Sequence, residues 1–397
     1  MPSLSEIRMA VETMAKDKRF ALKRAWQLNQ ISFDRFQKDP AYEANNPDHF
    51  VPLIEVDRYM KRTPHFDKII SATHNHFWDP FDTKYIDFTE PFDMENDMLI
   101  EPEIFAIELR IPAIAERLDE KQKIRLVNDS LLWTLSNILH GEQGALSLSA
   151  SLCHVLKDPG AQEYAANQAR EEGRHVAGFT RYIEARWGAP TPCSDTLARV
   201  LDDVVTTDVV YKKIVGMQML IEGLAMGAFA MIYADARDPL LKHLIQLVMT
   251  DEAFHHKFGK IWADKTIPHL SEAERHKVED WAVDIFQDLL MNLVSPSQKR
   301  VIYRNVGLDW RWVQKVMLKE LNQNDFIREE MKKDNNIFRV LVKTLLQAGI
   351  ITDRTKDVYA TWVDMEELKS EGDTTAGDAI AEDGIRKLEV INFRKAA

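Results

Sequence analysis

The sequence predicts an all-α protein built on a four-helix bundle, with extra helices and an irregular segment ahead of it. Apolar residues recur at helical spacing over most of the chain, and strand-like alternation is scarce. Two long apolar runs, 131–156 and 214–234, each hold one glutamate near the middle, Glu142 and Glu222. Two further stretches, "EEGRHVAGF" from Glu171 and "DEAFHHKF" from Asp251, each set an acid, then a glutamate, then a histidine three residues on.

The elements follow in order. Residues 5–36 read as one or two amphipathic helices. Residues 37–104 are rich in Pro, Asp, Asn and aromatics, and read as an irregular segment wrapping a helical core. From about 104 to 350 the chain is nearly all helix, broken at "KDPGA", "RWGAPTPCSD", "ADARDPL", "KTIPHLSEAE" and "VSPSQ". Asp195, Asp238 and Ser271 stand at expected N-caps, and "SEAE" is a loose capping-box match. The acidic stretch 366–384 has few large apolar residues and is expected to be loosely ordered. The predicted division is 1–118 (N-terminal helices and wrapping segment), 119–265 (bundle) and 266–397 (additional helices and acidic tail).

Composition narrows the function. The 397 residues are enough for a large core, and 45% hydrophobic with 29% charged is an ordinary globular balance. A net charge of −12 argues against nucleic acid, which demands a basic face. Two cysteines, Cys153 and Cys193, without a CxxC exclude a disulfide scaffold, a zinc ribbon and a rubredoxin-type iron centre. They fit a reducing cytoplasm, as does an N-terminus lacking the apolar region of a signal peptide. The two apolar runs approach membrane-spanning length. Their central glutamates and other polar groups make them core helices of a soluble bundle, with no membrane partner expected.

Glu142 is the only carboxylate between Asp129 and Asp158, and Glu222 the only one between Tyr211 and Asp235. A carboxylate in so apolar a helix is buried, and must be protonated, paired or metal-bound. Glu142, Glu172, Glu222 and Glu252 are spaced 30, 50 and 30 residues apart. A spacing of 30 suits a helix, a short turn and an antiparallel return to the same height, and "KDPGA" and "ADARDPL" fall midway. Each glutamate shares a helix face with the histidine three residues on, Glu172 with His175 and Glu252 with His255. Four carboxylates and two imidazoles inside one bundle form a di-iron or di-manganese carboxylate pattern. The extra acids Asp251 and Glu171 are placed to orient the histidine of the opposite helix, Asp251 with His175 and Glu171 with His255. Gln218 and Met226, one turn either side of Glu222, and Phe179, one turn after His175, are expected to face the metal cavity. His65, His74 and His76 read as surface histidines, and His256 as a surface or supporting one.

"EEGRH" and "DEAFHH" are similar to the paired motifs of the ferritin-like di-iron oxygenase and oxidase superfamily. The resemblance covers about 125–260. That group includes monooxygenase hydroxylase subunits, acyl-ACP desaturases, the ribonucleotide reductase radical subunit and CoA-ester epoxidases. The resemblance implies a ferritin-like four-helix bundle whose metal ligands, and catalytic residues, are Glu142, Glu172, His175, Glu222, Glu252 and His255. It implies two iron ions, with a manganese–iron pair also allowed. The partners it implies are O₂ and a small organic substrate; a homodimer is compatible with it.

Departures restrict the choice. Where the radical subunit carries a tyrosine one turn after its first histidine, this chain has Phe179, which argues against a stable tyrosyl radical; Tyr182 lies farther on. Where arylamine N-oxygenases add a third histidine, it has Val248. Gly223, Leu224, Ala225 and Met226 follow Glu222, so the threonine common in hydroxylases and desaturases is missing. The apolar surroundings of Glu142 and Glu222 favour a partly apolar substrate, to be hydroxylated, desaturated or N-oxidised. No flavin or nicotinamide fingerprint is present, so electrons are expected from a separate reductase or ferredoxin. Two other readings stay open: a di-metal protein without organic substrate, such as an iron oxidase or a radical or ligand-oxidising cofactor protein, and a metal-free helical interaction protein.

Overall fold

Capping side chains set where three of the four bundle helices begin. The structure is a computed structural model; it describes residues 50–393 apart from 208, 293–294, 321–324, 326–328, 330, 334–335 and 373–376. The helices expected over 5–36 lie outside the described residues. A short helix, α1 (Asp67–Thr73), precedes the bundle. The first bundle helix is α2 (Glu120–Val155). The Gln122 N–H donates to Asp119, and the Gln122 side chain accepts from the Asp119 N–H, a reciprocal box. Asp158 caps α3 (Pro159–Trp187), whose first residue is a proline that has no N–H to leave unpaired. Gly188, at φ +83°, ends α3 in the left-handed conformation that glycine adopts without strain.

Next come α4 (Asp195–Thr206), α5 (Val210–Asp235) and α6 (Pro239–Thr266). The cap of α4 is Ser194, one residue before the expected Asp195. Ser194 Oγ accepts from the Leu197 N–H, and Asp195 falls in the first turn, where its charge still suits the helix N-terminus. Asp238 caps α6 and also accepts from Tyr182 Oη at 2.7 Å and Arg186 Nε at 2.9 Å. One carboxylate thus ties the end of α3 to the start of α6. Ser271 and Glu274 form a reciprocal cap at the start of α7 (Glu272–Asn292). The helix Trp310–Glu320, α8 (Ile337–Gln347) and α9 (Asp378–Phe393) follow. Among the described residues there is no β-strand.

Helix α2 packs along α3 and α5 along α6, as two hairpins whose inner helices α3 and α6 also meet. This is a ferritin-like bundle. Its apolar interior is split in two along the bundle axis. One core gathers Leu148, Tyr164, Leu220 and Phe258, and the other Leu131, Phe179, Phe229 and Leu244. Glu142, Glu172, Glu222 and Glu252 lie between them. Among the described helices, α5 is long and apolar enough to cross a membrane, and 78% of its most apolar window is buried inside the protein.

Apart from 373–376, which lie outside the described residues, the stretch 366–384 departs from the expected loose tail. It contains the helix Met365–Ser370, capped by Asp364, and the first turns of α9. Leu388 of α9 is buried in the second core, and a close glycine contact brings the helix there. A Cβ on Gly384 would lie 2.3 Å from Thr250 Cγ2, so its bare backbone lets α9 press on α6. Gln246 donates to Asp383 at 2.9 Å, and Asn392 accepts from Tyr85 Oη at 2.6 Å.

Helix α8 lies against α5 at Gly227, where a Cβ would meet Ile337 Cα at 2.5 Å. Gly227→Ala is therefore expected to destabilise the protein by about 1–3 kcal/mol. Gly173, in mid-α3, has nothing within 4 Å of the same position. Gly173→Ala is expected to stabilise by roughly 0.5–1 kcal/mol. Chemical denaturation of the two variants checks both signs.

Candidate di-metal centre

Glu142 from α2, Glu172 and His175 from α3, Glu222 from α5, and Glu252 and His255 from α6 meet in mid-bundle, all buried. His175 Nδ1 lies 3.1 Å from Glu142 Oε2, 3.3 Å from Glu172 Oε2 and 3.0 Å from Glu252 Oε1. His255 Nδ1 lies 3.2 Å from Glu172 Oε1 and 3.3 Å from Glu252 Oε2. Glu172 and Glu252 therefore each offer one oxygen to either histidine, the disposition of bridging carboxylates. The donor atoms form two groups, Glu142–Glu172–His175–Glu252 and Glu172–Glu222–His255, each within 4.8 Å. Glu142 serves the first and Glu222 the second.

The other imidazole nitrogens point outward. His175 Nε2 is 3.1 Å from Asp251 Oδ2, and His255 Nε2 is 3.0 Å from Glu171 Oε2. Each acid thus reaches the histidine of the neighbouring helix, which fixes the ring and leaves Nδ1 for a metal.

Three more side chains join here that sequence reasoning did not assign to the site. Arg174 Nη2 donates to Asp251 Oδ2 at 2.9 Å, and Trp78 Nε1 donates to the same oxygen at 2.8 Å. His76, expected at the surface, is 1% exposed. Its ring stacks on Phe254 at 4.7 Å, and its Nε2 is 3.2 Å from Asp251 Oδ1 and 3.9 Å from Glu171 Oε1. The wrapping segment buries His76 and Trp78 because two acids and a flat apolar ring await them. A signal did exist in "HNHFWDPF": aromatic and imidazole groups in a segment too irregular to bury them against itself.

The expected cavity residues need correction. A cavity of about 130 Å³ opens between α2 and α5, and Gln218, Met226 and Phe179 do not line it. Its walls include Trp133, Ile138, Gly141, Met217, Leu224 and Ala228, and Glu142, Glu172, Glu222 and Glu252 also border it. The reason is local. Residues Val215–Ile221 of α5 form a π-helical stretch ending at Glu222. Its wider turn puts Met217, five residues before Glu222, on the cavity wall in place of Gln218. Gln218 reaches Gln168 instead. Beyond Glu222, Ala225 lines the cavity while Met226 lies toward Gly377. Phe179 stacks on Phe229 in the core.

The electrostatics test the fit to metal. Burial would hold His175 and His255 neutral, yet the facing carboxylates raise both well above the usual imidazole range. Burial pushes Glu142 and Glu222 well above the usual carboxylate range, against the pull of the histidines. Burial opposes ionisation of Glu172 and Asp251 too, but His255 and His175 for the first, and Arg174, His175 and His76 for the second, outweigh it and lower both. Taken alone, the protein groups balance their charge with protons. Among the described residues, Glu222 Oε2 is buried with no hydrogen-bond partner, and Glu172 Oε2 has only His175 Nδ1, at 3.3 Å. Hard carboxylate oxygens with imidazoles suit iron or manganese, so the donor set fits two divalent ions.

No protein-family profile matches this chain, and no curated protein does. Among solved structures it is similar to an R2-like ligand-binding oxidase with an aerobically reconstituted Mn/Fe cofactor. The identity is 16% and the TM-score 0.39, covering 73% of this chain and 93% of that chain. At that distance the reading of the fold and the donor set rests on the geometry above.

A pH dependence follows. Histidines with raised pKa contribute stability below their unfolded value, about 6.5, and lose it as pH rises. Carboxylates with raised pKa destabilise the fold above their unfolded value, so both effects have the same sign. Chelator-treated protein is expected to melt at a higher temperature at pH 6 than at pH 8, by on the order of a few degrees. Added metal replaces the protons and should flatten the profile. Thermal melts with and without metal test this.

Proposed function

We propose that the protein is an O₂-dependent di-metal oxygenase or oxidase whose substrate is a small, largely apolar organic molecule. The observation that carries this reading is the cavity, apolar along its walls and bordered by the four metal-binding carboxylates. Thr134 Oγ1 donates to Ser130 O at 3.0 Å. Asn137 Nδ2 donates to Trp133 O at 2.8 Å, and its Oδ1 accepts from the Ser194 N–H at 3.0 Å. Both polar wall residues therefore have their hydrogen bonds met inside the protein. A polar ligand would lose its water here for little return, whereas a dry apolar cavity of ~150 Å³ accommodates a molecule as large as benzene.

Two bound ions, iron with iron or with manganese, would supply the electrons that reduce O₂. The chain's own part is to hold them, to aim the substrate and to keep water out. Glu142 and Glu222 each serve one position, and Glu172 and Glu252 face both. Met217, Ile221 and Leu224 present hydrocarbon beside them. A hydroxylation would consume one O₂, two electrons and two protons per substrate and release one water. The electrons would come from a separate reductase or ferredoxin.

Gly141 supplies a test, because nothing lies within 4 Å of a Cβ placed there and the residue borders the cavity. Gly141→Leu is expected to keep the fold and two metals per chain while lowering substrate-dependent O₂ uptake about tenfold or more, by filling the space a substrate requires. The Glu172→Ala/Glu252→Ala double variant is expected to lose both metals. Elemental analysis and O₂ uptake across a panel of small hydrocarbons and aromatic amines read both outcomes. Metal-loaded protein that consumes O₂ at the same rate with every candidate and with none would replace this reading with a di-metal protein lacking an organic substrate.

A further inference from the structure

Gln168 lies one helical turn before Glu172 on α3 and is fully buried. Its amide nitrogen donates to Glu222 Oε1 at 2.6 Å and to Glu172 Oε1 at 3.0 Å. Its carbonyl oxygen accepts from Gln218 Nε2 at 3.1 Å. Gln218 belongs to the π-helical stretch of α5 and packs against α6 at Gly259, where a Cβ would come within 2.7 Å of Gln218 Cβ. Rigid backbone on α6 thus fixes Gln218, which fixes Gln168, which holds two carboxylates.

The hold is one-sided. Glu172 Oε1 is the oxygen that faces His255, and Glu222 belongs to the same donor group. Glu142, on the other side, has its hydrogen bond to His175. Among the described residues, neither Glu142 nor Glu252 receives a side-chain amide.

We propose that Gln168 is a positioning residue that makes the two metal positions unequal. It holds two of the three donors of the position formed by Glu172, Glu222 and His255, and reaches the one formed by Glu142, Glu172, His175 and Glu252 only through the shared Glu172. The terminal torsion of a glutamate is broad, so an unheld carboxylate gives up freedom when it ligates. By occupying Oε1 of Glu222, the amide leaves Oε2, which has no other partner among the described residues, as the free donor. Because the amide is neutral, it orients the carboxylate without competing for its charge. The inference rests on the di-metal reading above.

The experiment is an anaerobic calorimetric titration of chelator-treated, full-length protein with ferrous ion, comparing wild type with Gln168→Met, Gln168→His and Gln218→Met. Wild type is expected to show two binding events of different affinity. Gln168→Met keeps the bulk and loses the donor, and should weaken one event about 10–100-fold while sparing the other, the usual effect of removing a partner that orients a ligand. Gln168→His restores an N–H and should recover part of the loss. Gln218→Met should weaken the same event to a smaller degree, and it decides the matter if Gln168→Met does not fold. Circular dichroism reports folding of each variant. Two equal events in wild type, or both events unchanged or equally weakened in the variants, would overturn the brace while leaving the di-metal centre standing. No binding by wild type would overturn both.

Discussion

Four carboxylates and two imidazoles buried at one level of a bundle cannot be left without compensating charge. A single ionised carboxylate in an apolar interior costs several kcal/mol unless something positive or donating meets it. Much of the surrounding structure answers that demand. The histidines hold raised pKa values because carboxylates face them, and Arg174 stands beside the two outer acids. Gln168 donates where a cation would be redundant. The two apolar cores above and below the polar layer have the opposite task. They supply the burial that holds four helices in register while the middle of the bundle contributes little to stability on its own.

That division of labour decides what the sequence could reveal. A lone glutamate in an apolar helix is conspicuous, and four of them at repeating intervals specify two hairpins and a shared height. The fold class and the composition of the cluster could therefore be read from Glu142, Glu172, Glu222 and Glu252 with their two histidines. What escaped is whatever depends on a change in helical pitch or on contact between distant segments. The π-helical stretch before Glu222 leaves no mark in a list of Val, Gly, Met and Gln, yet it moves the cavity face from Gln218 to Met217. Gln168 resembles any polar residue on α3 until α5 is placed beside it. The stretch 366–384 looked too poor in large apolar residues to pack, because Gly384 works by what it lacks and Leu388, which α9 buries, lies beyond it.

The wrapping segment shows the same limit from another side. Its composition marks it as irregular, and irregular segments mostly run over the surface. Here Asp251 and Glu171 each hold a histidine with one carboxylate oxygen and have the other still to be satisfied. His76 and Trp78 meet Asp251, and His76 also approaches Glu171. Residues 74–99, which follow α1 and form no helix or strand, pack where the bundle presents unsatisfied carboxylate oxygens and the Phe254 ring. Without that segment, Asp251 would lose the Trp78 donor and the His76 contact, and the orientation of His175 would rest on Arg174 alone.

The cluster therefore has two unlike sides. Toward α1 and the wrapping segment lie Arg174, His76, Trp78 and the two outer acids, joined by polar contacts. Toward α2 and α5 lie Gly141, Ala225, Ala228 and Leu224, with open space and no hydrogen bonds to give. Each side excludes what the other admits. An apolar molecule cannot displace an arginine from a carboxylate, and charge cannot settle against hydrocarbon. The arrangement is polarised: groups that carry or stabilise charge stand on one face of the cluster, and the apolar cavity opens on the other. Reversing the two sides would require moving the segment that supplies His76 and Trp78, so the irregular part of the chain, as much as the bundle, sets the direction from which the centre can be reached.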